Sequence, residues 1–496
     1  MARGRIRNSR QKTSIFPLSI SFHYATIIDR MYSHVLIIPE MEIENKVDPF
    51  RMSRTEDSME FRVYTGKNLE KIPQIAELSE EMRFAMQVVA KVLPFRINNY
   101  VCDELIDWDD IPKDPIYQLT FPQKDMLTPS AFQEMADLVR RDASQQEIDL
   151  RARRIRADLN PHPAGQLDMN VARLDDAEVE GMQHKYRETV LFFPSQGQFC
   201  HSYCTFCFRW AQFIGDEKLR IASKEAEELH EYLRQHKEVS DLLVTGGDPM
   251  VMKSDTLGNY IEPLASAEYS HIQNIRIGTK ALSFWPYRFI SDPDSDDLAA
   301  LLERMIEAGK HIAIMAHFDH WREMQSPACH AAIERLRSIG AEIRCQAPLI
   351  AHINDDPDVW ARMWREQVRL GMVPYYMFIE RNTGAHHYFE LPLYRAWEIY
   401  RDAIKQVSGL SRTVRGPSMS CGPGKIEIQG VSEVRGEKVF VLRFIQGRNP
   451  EWVQKPFFAK YNQEATWLDH LEPAFGEEKF FFEEEFEHMA SLSDLD

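Results

Sequence analysis

Thr189-Val190-Leu191-Phe192-Phe193 is an apolar run followed, after six further residues, by Cys200-His201-Ser202-Tyr203-Cys204-Thr205-Phe206-Cys207-Phe208-Arg209. The run reads as a buried β-strand, and five more follow it, at 241–245, 273–277, 311–316, 342–349 and 373–379. Amphipathic helical patterns lie between and after them, at 223–237, 298–308, 327–338, 358–369 and 391–407. Strands alternating with helices predict a parallel sheet with right-handed crossovers. A closed barrel needs eight such units, so six predict a partial, open (β/α)6 barrel. The cysteine-bearing segment then leaves the C-terminal end of the first strand, the face on which barrel enzymes keep their sites.

Three of the chain's seven cysteines fall within eight residues, spaced C-x3-C-x2-C. Three thiolates in one short loop can ligate three irons of a [4Fe-4S] cube. No protein ligand from the loop remains for the fourth iron, and an open metal position is what a cofactor or substrate needs in order to coordinate. Structural zinc prefers four ligands, commonly as two C-x2-C pairs; His201 is a poor fourth because it sits inside the loop beside Cys200. Thr245-Gly246-Gly247-Asp248-Pro249, at the end of the second strand, places two glycines where backbone can approach a neighbour closely.

Working outward, residues 77–95 and 130–158 read as helices, the second carrying Phe132, Met135, Leu138 and Val139 at helical spacing. Residues 164–185 read as a loop-rich approach. Short extended runs at 417–421, 425–429 and 437–444 suggest a small C-terminal unit, and the tail from 477 is an acidic, aromatic terminal helix. The expected division is an N-terminal extension and helical region (1–160), the barrel (161–407) and a C-terminal unit (408–496). Residues 1–60 are expected to be irregular. Their basic start (Arg3, Arg5, Arg7, Arg10, Lys12) lacks a clear cleavage pattern and reads as an extension.

The 496 residues carry a net charge of −17. That charge disfavours nucleic acid and anionic membrane as partners, because both require basic surface. No apolar run reaches the ~20 residues needed to span a bilayer. Sparse, odd-numbered cysteines do not form a secreted disulfide framework, so a cytoplasmic enzyme of small molecules is expected.

The triplet, with an aromatic residue before its last cysteine, resembles the radical S-adenosylmethionine (SAM) superfamily. There the free iron is chelated by SAM, and Gly246-Gly247-Asp248 resembles the element that receives the SAM amino group. A narrower set of motifs, over roughly residues 160–445, resembles lysine 2,3-aminomutase and its relatives. It comprises His184-Lys185-Tyr186, Cys207-Phe208-Arg209, Gly246-Gly247-Asp248, Arg276-Ile277-Gly278-Thr279, His317-Phe318, Gln346, Asn354-Asp355, Tyr375-Tyr376 and Gly422-Pro423-Gly424-Lys425.

The resemblance implies that Cys200, Cys204 and Cys207 hold the cluster and that Lys425 binds pyridoxal 5′-phosphate (PLP) as a Schiff base. It implies that Lys185 and Tyr186 line the PLP site, that Gln346 and His317 lie near SAM and PLP, and that Arg209 pairs with the substrate α-carboxylate. The implied reaction moves the α-amino group of an amino acid to its β-carbon through a 5′-deoxyadenosyl radical, with SAM regenerated. Implied partners are a small-molecule amino acid, an external one-electron donor of flavodoxin or ferredoxin type, and further copies of the chain in a homo-oligomer.

The chain departs from the family in three places. Thr189 stands where an arginine for the PLP phosphate is expected. Of the two aspartates that receive a lysine side chain, Asp355 is present and Arg381 replaces the other. There are no cysteines after Cys421 for the bacterial zinc-binding tail. A cation at 381 repels a lysine ammonium unless an acid such as Glu380 compensates. Other readings are a radical SAM enzyme acting on a residue of a protein partner, and a non-catalytic iron–sulfur protein. Retention of Gly246-Gly247-Asp248, Arg209 and Lys425 counts against the latter.

Overall fold

The computed structural model describes residues 59–160, 170–174, 177–214, 222–223 and 225–493, all within one compact unit, Ser53–Asp496. The expectation of irregular structure over residues 1–60 lies almost wholly outside the described residues.

Fourteen strands are described: β1 (Val63–Thr65), β2 (Arg96–Asn98), β3 (Val171–Leu174), β4 (Ala177–Tyr186), β5 (Thr189–Phe192), β6 (Asp241–Val244), β7 (Asn274–Thr279), β8 (His311–His317), β9 (Glu342–Leu349), β10 (Val373–Ile379), β11 (Arg415–Ser420), β12 (Gly424–Val434), β13 (Glu437–Gly447) and β14 (Pro456–Lys460). β1 and β2 form a separate antiparallel pair. The other twelve make one sheet in the order β14-β13-β12-β11-β10-β9-β8-β7-β6-β5-β4-β3. From β5 to β11 every neighbouring pair is parallel. Crossover helices Ala226–Gln235, Ser254–Ile261, Ser295–Glu307, Pro327–Ser338, Pro357–Arg369 and Leu393–Lys405 separate these strands. Because β3 and β14 end the sheet without pairing, it is an open, partial (β/α)6 barrel rather than a closed one.

Alternation along the strands sorts the two faces. Val190, Phe192, Leu242, Val244, Ile275, Ile277, Ile312, Ile314 and Ile343 are almost fully buried against the helices. The intervening set is only half-buried: Leu243, Thr245, Arg276, Gly278, Arg344 and Gln346. An apolar outer face fastens the helices, and a polar, partly accessible inner face is left to line a site.

Three sequence expectations need correction. The helix expected over 130–158 is two, Pro129–Arg140 and Gln145–Asp158. The break falls at Asp142, whose φ is +51°, and the second helix restarts on a capping box in which Ser144 and Glu147 bond each other's backbone N–H groups. The expected loop over 164–185 contains β3 and β4, antiparallel strands that extend the sheet beyond β5. Finally, the strands after 408 do not stand apart from the barrel sheet. β11 pairs in parallel with β10, and β12–β14 follow it antiparallel.

The N-terminal helices Glu80–Val89, Pro129–Arg140 and Gln145–Asp158 build a second hydrophobic core. Phe206 and Trp210, from the cysteine segment, are buried in that core. None of the described helices is long and apolar enough to cross a membrane.

Candidate active site

The cysteine segment emerges beyond β5 and is pinned by backbone from distant parts of the chain. Tyr203 N–H donates to the Arg96 carbonyl at 2.8 Å. Asn98 N–H donates to Ser202 Oγ at 3.0 Å, and its side-chain amide donates to the Phe284 carbonyl at 2.8 Å. Thr205 donates through N–H to the Leu119 carbonyl (2.9 Å) and through Oγ1 to the Gln118 carbonyl (2.8 Å). Trp210 Nε1–H donates to Thr383 Oγ1 at 3.1 Å. Such a loop is fixed before any ligand arrives.

Burial raises the pKa of all three thiols, that of Cys207 to about 11. A bound metal's positive charge is what would stabilise them as thiolates. His201 is buried, and burial lowers its imidazole to about 3, so it is neutral and packs edge-on to Phe61. Among the described residues no three His, Cys, Asp or Glu side chains converge on one ion. In a cube, unlike a mononuclear site, the cysteines each bind a different iron.

The glycine turn after β6 explains itself sterically. A Cβ on Gly247 would lie 2.6 Å from Phe199 N, and one on Gly246, at φ +143°, 2.3 Å from Gln198 Nε2. The body these glycines approach is therefore the backbone entering the cysteine loop. Asp248 locks the contact. Its N–H donates to the Gly197 and Phe199 carbonyls (3.0 and 2.9 Å), and its carboxylate accepts from Thr279 Oγ1, Lys280 N–H and Met250 N–H at 2.6–2.9 Å. With both oxygens occupied, the Asp248 side chain is a brace, and only the backbone of the turn is left to meet a ligand.

Beneath the loop lies a charged group that the sequence did not single out. Lys280 Nζ donates to Asp319 Oδ2 at 2.7 Å and Glu323 Oε1 at 2.5 Å, and both carboxylates are inaccessible to solvent. Burial alone would lower the lysine pKa, but the two carboxylates more than reverse it. His317 Nε2 lies 3.1 Å from Asp319 Oδ1. The network borders Cys204, whose thiol feels the Lys280 charge. Its members follow β7 and β8 as isolated charges, which in the sequence resemble loop polars. Lys280→Met strands two buried carboxylates and is expected to cost about 3–5 kcal/mol, read as a lowered midpoint in urea unfolding with unchanged slope. A loss under about 1 kcal/mol would show that the pairing is not structural.

Lys425 opens β12. Its Nζ lies 4.5 Å from the Tyr376 ring centroid and 5.7 Å from that of Phe378, and it makes no hydrogen bond or ion pair among the described residues. Burial, aided by the Arg276 and Arg415 charges, lowers its pKa to about 7. Gly422 and Gly424 are closely approached by the chain's own packing. Their Cβ positions are filled by Phe486 of the terminal helix at 2.8 Å and by the Gln446 carbonyl of β13 at 2.3 Å. Lys185, on β4, donates to the Cys421 carbonyl at 2.5 Å and is likewise lowered to about 7 by burial, with Arg448, Arg381 and Lys425 adding to the shift. Tyr186 lies beside Tyr376, Arg448 and Arg381, its phenol raised by burial. Thr189, the β5 partner of Tyr186, is buried, and Arg187 is exposed at the turn between them.

Arg209 and Arg381 meet over one aromatic ring. Their guanidinium carbons lie 5.1 and 5.0 Å from the Phe208 centroid. Gln346 and His317 are cross-strand partners on β9 and β8, both half-buried. Asp355 is not brought to the site group: it is exposed on the turn after β9 and makes no hydrogen bond or ion pair among the described residues. Gln198 Oε1 and Glu380 Oε1 are buried without a hydrogen-bond partner among the described residues. Such orphans near the cysteine loop suit a polar guest that supplies the missing partners.

An open (β/α)6 barrel whose first parallel strand delivers three clustered cysteines, and whose second ends in a glycine turn packed against them, defines a radical SAM enzyme. The comparisons narrow the class. A protein of Aquifex aeolicus provisionally named an L-lysine 2,3-aminomutase is 31% identical over 395 residues, 80% of this chain and 92% of its own. L-lysine 2,3-aminomutases of Methanococcus maripaludis and Bacillus subtilis are 24% and 23% identical, covering 79% and 74% of this chain and 79% and 67% of theirs. No protein-family model matches. Among solved structures, Streptococcus suis SuiB bound to S-adenosylmethionine covers 55% of this chain and 58% of its own at 13% identity and a TM-score of 0.32, a likeness too slight to bear on the site. The chain belongs to the lysine 2,3-aminomutase family. It is a radical SAM, PLP-dependent isomerase of an amino acid, with a [4Fe-4S] cluster, SAM and PLP as cofactors.

Proposed function

We propose that the chain is an amino acid 2,3-aminomutase in which Cys200, Cys204 and Cys207 ligate the cluster and Lys425 carries PLP. The observation that favours this over a plain radical SAM enzyme is Lys425. Its half-buried amine packs against Tyr376, has no hydrogen-bond acceptor among the described residues and is about half neutral near pH 7. A neutral, desolvated amine is what condensation with an aldehyde requires.

When bound, the cofactors supply the radical and the electron sink; the protein supplies position and exclusion of water. The pinned loop and the Asp248 brace hold three thiolates in place and present the backbone of Gly246 and Gly247 toward the SAM amino group. Arg209 holds the substrate α-carboxylate by its planar donor fork. Lys185 and Tyr186 border the PLP, Lys185 offering donors to its phosphate where the family's arginine is replaced by Thr189. Gln346 and His317, aligned across β8 and β9, flank the space between the cofactors. A flavodoxin- or ferredoxin-type protein delivers the electron, and the active form is a homo-oligomer.

The test is anaerobic reconstitution with iron and sulfide, then SAM, dithionite, PLP and a panel of amino acids. A β-amino acid isomer of one panel member is expected, with SAM retained over many turnovers. Stoichiometric loss of SAM with no isomer would point instead to modification of another kind of substrate.

A further inference from the structure

Of the two arginines that share Phe208, Arg381 spends one hydrogen bond on the Ser420 carbonyl at 2.6 Å, and Arg209 spends none among the described residues. Neither has an ion pair there, although both are half-buried. Two desolvated guanidinium forks side by side are unfavourable until anions fill them.

The groups facing Arg381 are Cys421, Tyr186 and Glu380, with Lys185 close by. Glu380 is the one carboxyl among them. Burial, and the nearby Asp319, raise its pKa, and it forms no ion pair with Arg381 among the described residues. Asp355, the acid that a lysine-binding site needs, stands exposed on its turn. Since each guanidinium carbon lies about 5 Å from one ring centroid, the two are within about 10 Å of each other. The carboxyl carbons of aspartate or glutamate are about 4–5 Å apart, a separation that two bidentate arginines at this spacing can accommodate.

We propose that the substrate is an amino acid with a carboxylate side chain, its α-carboxylate held by Arg209 and its side-chain carboxylate by Arg381. The assignment rests on the aminomutase reading above and adds the substrate class to it. A lysine substrate would place an ammonium against the Arg381 guanidinium with no acid ion-paired to it. A neutral side chain would leave the fork unfilled.

The experiment is an equilibrium titration of PLP-loaded protein, without SAM or reductant. L-glutamate, L-aspartate, L-glutamine and L-lysine are added, and the visible band of lysine-bound PLP is followed. Glutamate or aspartate is expected to shift the band at concentrations at least about tenfold lower than glutamine or lysine require. Arg381→Met should weaken the acidic ligand by about ten- to a hundredfold and change glutamine by less than about threefold. Arg381→Lys, which keeps the charge without the fork, should recover part of the loss. Lysine or glutamine binding as tightly as glutamate, or equal weakening of all ligands in Arg381→Met, would overturn the assignment alone. Absence of any PLP band in the unsubstituted protein would overturn the aminomutase site and this assignment together.

Discussion

Cys204→Ala protein will reconstitute to less than about one iron per chain where the unsubstituted protein takes about four, and SAM cleavage will fall below detection. The expectation follows from the geometry of the loop. Its backbone and its Ser202, Thr205 and Trp210 side chains are held by Arg96, Asn98, Gln118, Leu119 and Thr383, so the loop cannot slide to bring another thiol into place. Cys102, Cys329, Cys345 and Cys421 are buried elsewhere and are not available to substitute. Cys200→Ala and Cys207→Ala should behave alike, while the fold, measured by far-ultraviolet circular dichroism, stays intact because none of the pins is a thiol. A Cys204→Ala protein with a full, SAM-cleaving cluster would remove the central assignment.

The second large effect concerns Lys425. Borohydride reduction of PLP-loaded protein should fix the cofactor to this residue. Lys425→Ala should abolish the adduct and lower turnover by at least about a thousandfold, the scale seen when an acting nucleophile is lost. The pH dependence has a definite direction. In an ordinary lysine the neutral amine appears only near pH 10.5; here burial brings the pKa to about 7. The rate of PLP capture should therefore rise through about pH 7 and level off by about pH 8.

The same shift sets the sign for stability. Between about 7 and 10.5 the unfolded chain binds a proton at Lys425 that the folded chain does not, so stability of the PLP-free protein rises with pH across that window. Lys185, also lowered to about 7, adds to the slope. PLP capture that climbs only above pH 9, or an adduct mapped to Lys185, would place the covalent link elsewhere.

What was legible in the sequence was whatever a period or a spacing could encode. The six parallel strands were visible because their helix-facing residues are uniformly apolar, as at Leu242 and Val244 or Ile312 and Ile314. The cysteine loop was visible because its spacing is rare. β4 was not: Ala177–Tyr186 carries charged or polar residues at half its positions, and its burial comes from sheet neighbours, Met182 against Phe192. The break between the two N-terminal helices had its signal in Ser144 and Glu147, but the apolar spacing on either side masked it. The Lys280–Asp319–Glu323 group could not be found by spacing, since its members come from two separate connections, after β7 and after β8, and acquire meaning only when buried together. Asp355 and Arg381 stood as a pair in the sequence. In the fold the first is exposed on a turn and the second reaches Phe208, a difference set by the chain's path after β9 and β10 that no local pattern records.

The loop pins have a further consequence for the order in which this protein can be made. Arg96, Asn98 and the Gln118–Leu119 carbonyls leave the ribosome well before Cys200, so half of the cradle precedes the thiols it will hold. The other half, Phe284 and Thr383, is synthesised long after Cys207. At about 5–20 residues per second the cysteines wait some ten to forty seconds for their last anchor. A nascent chain thus displays three closely spaced thiols without a finished seat for them until Thr383 has been made.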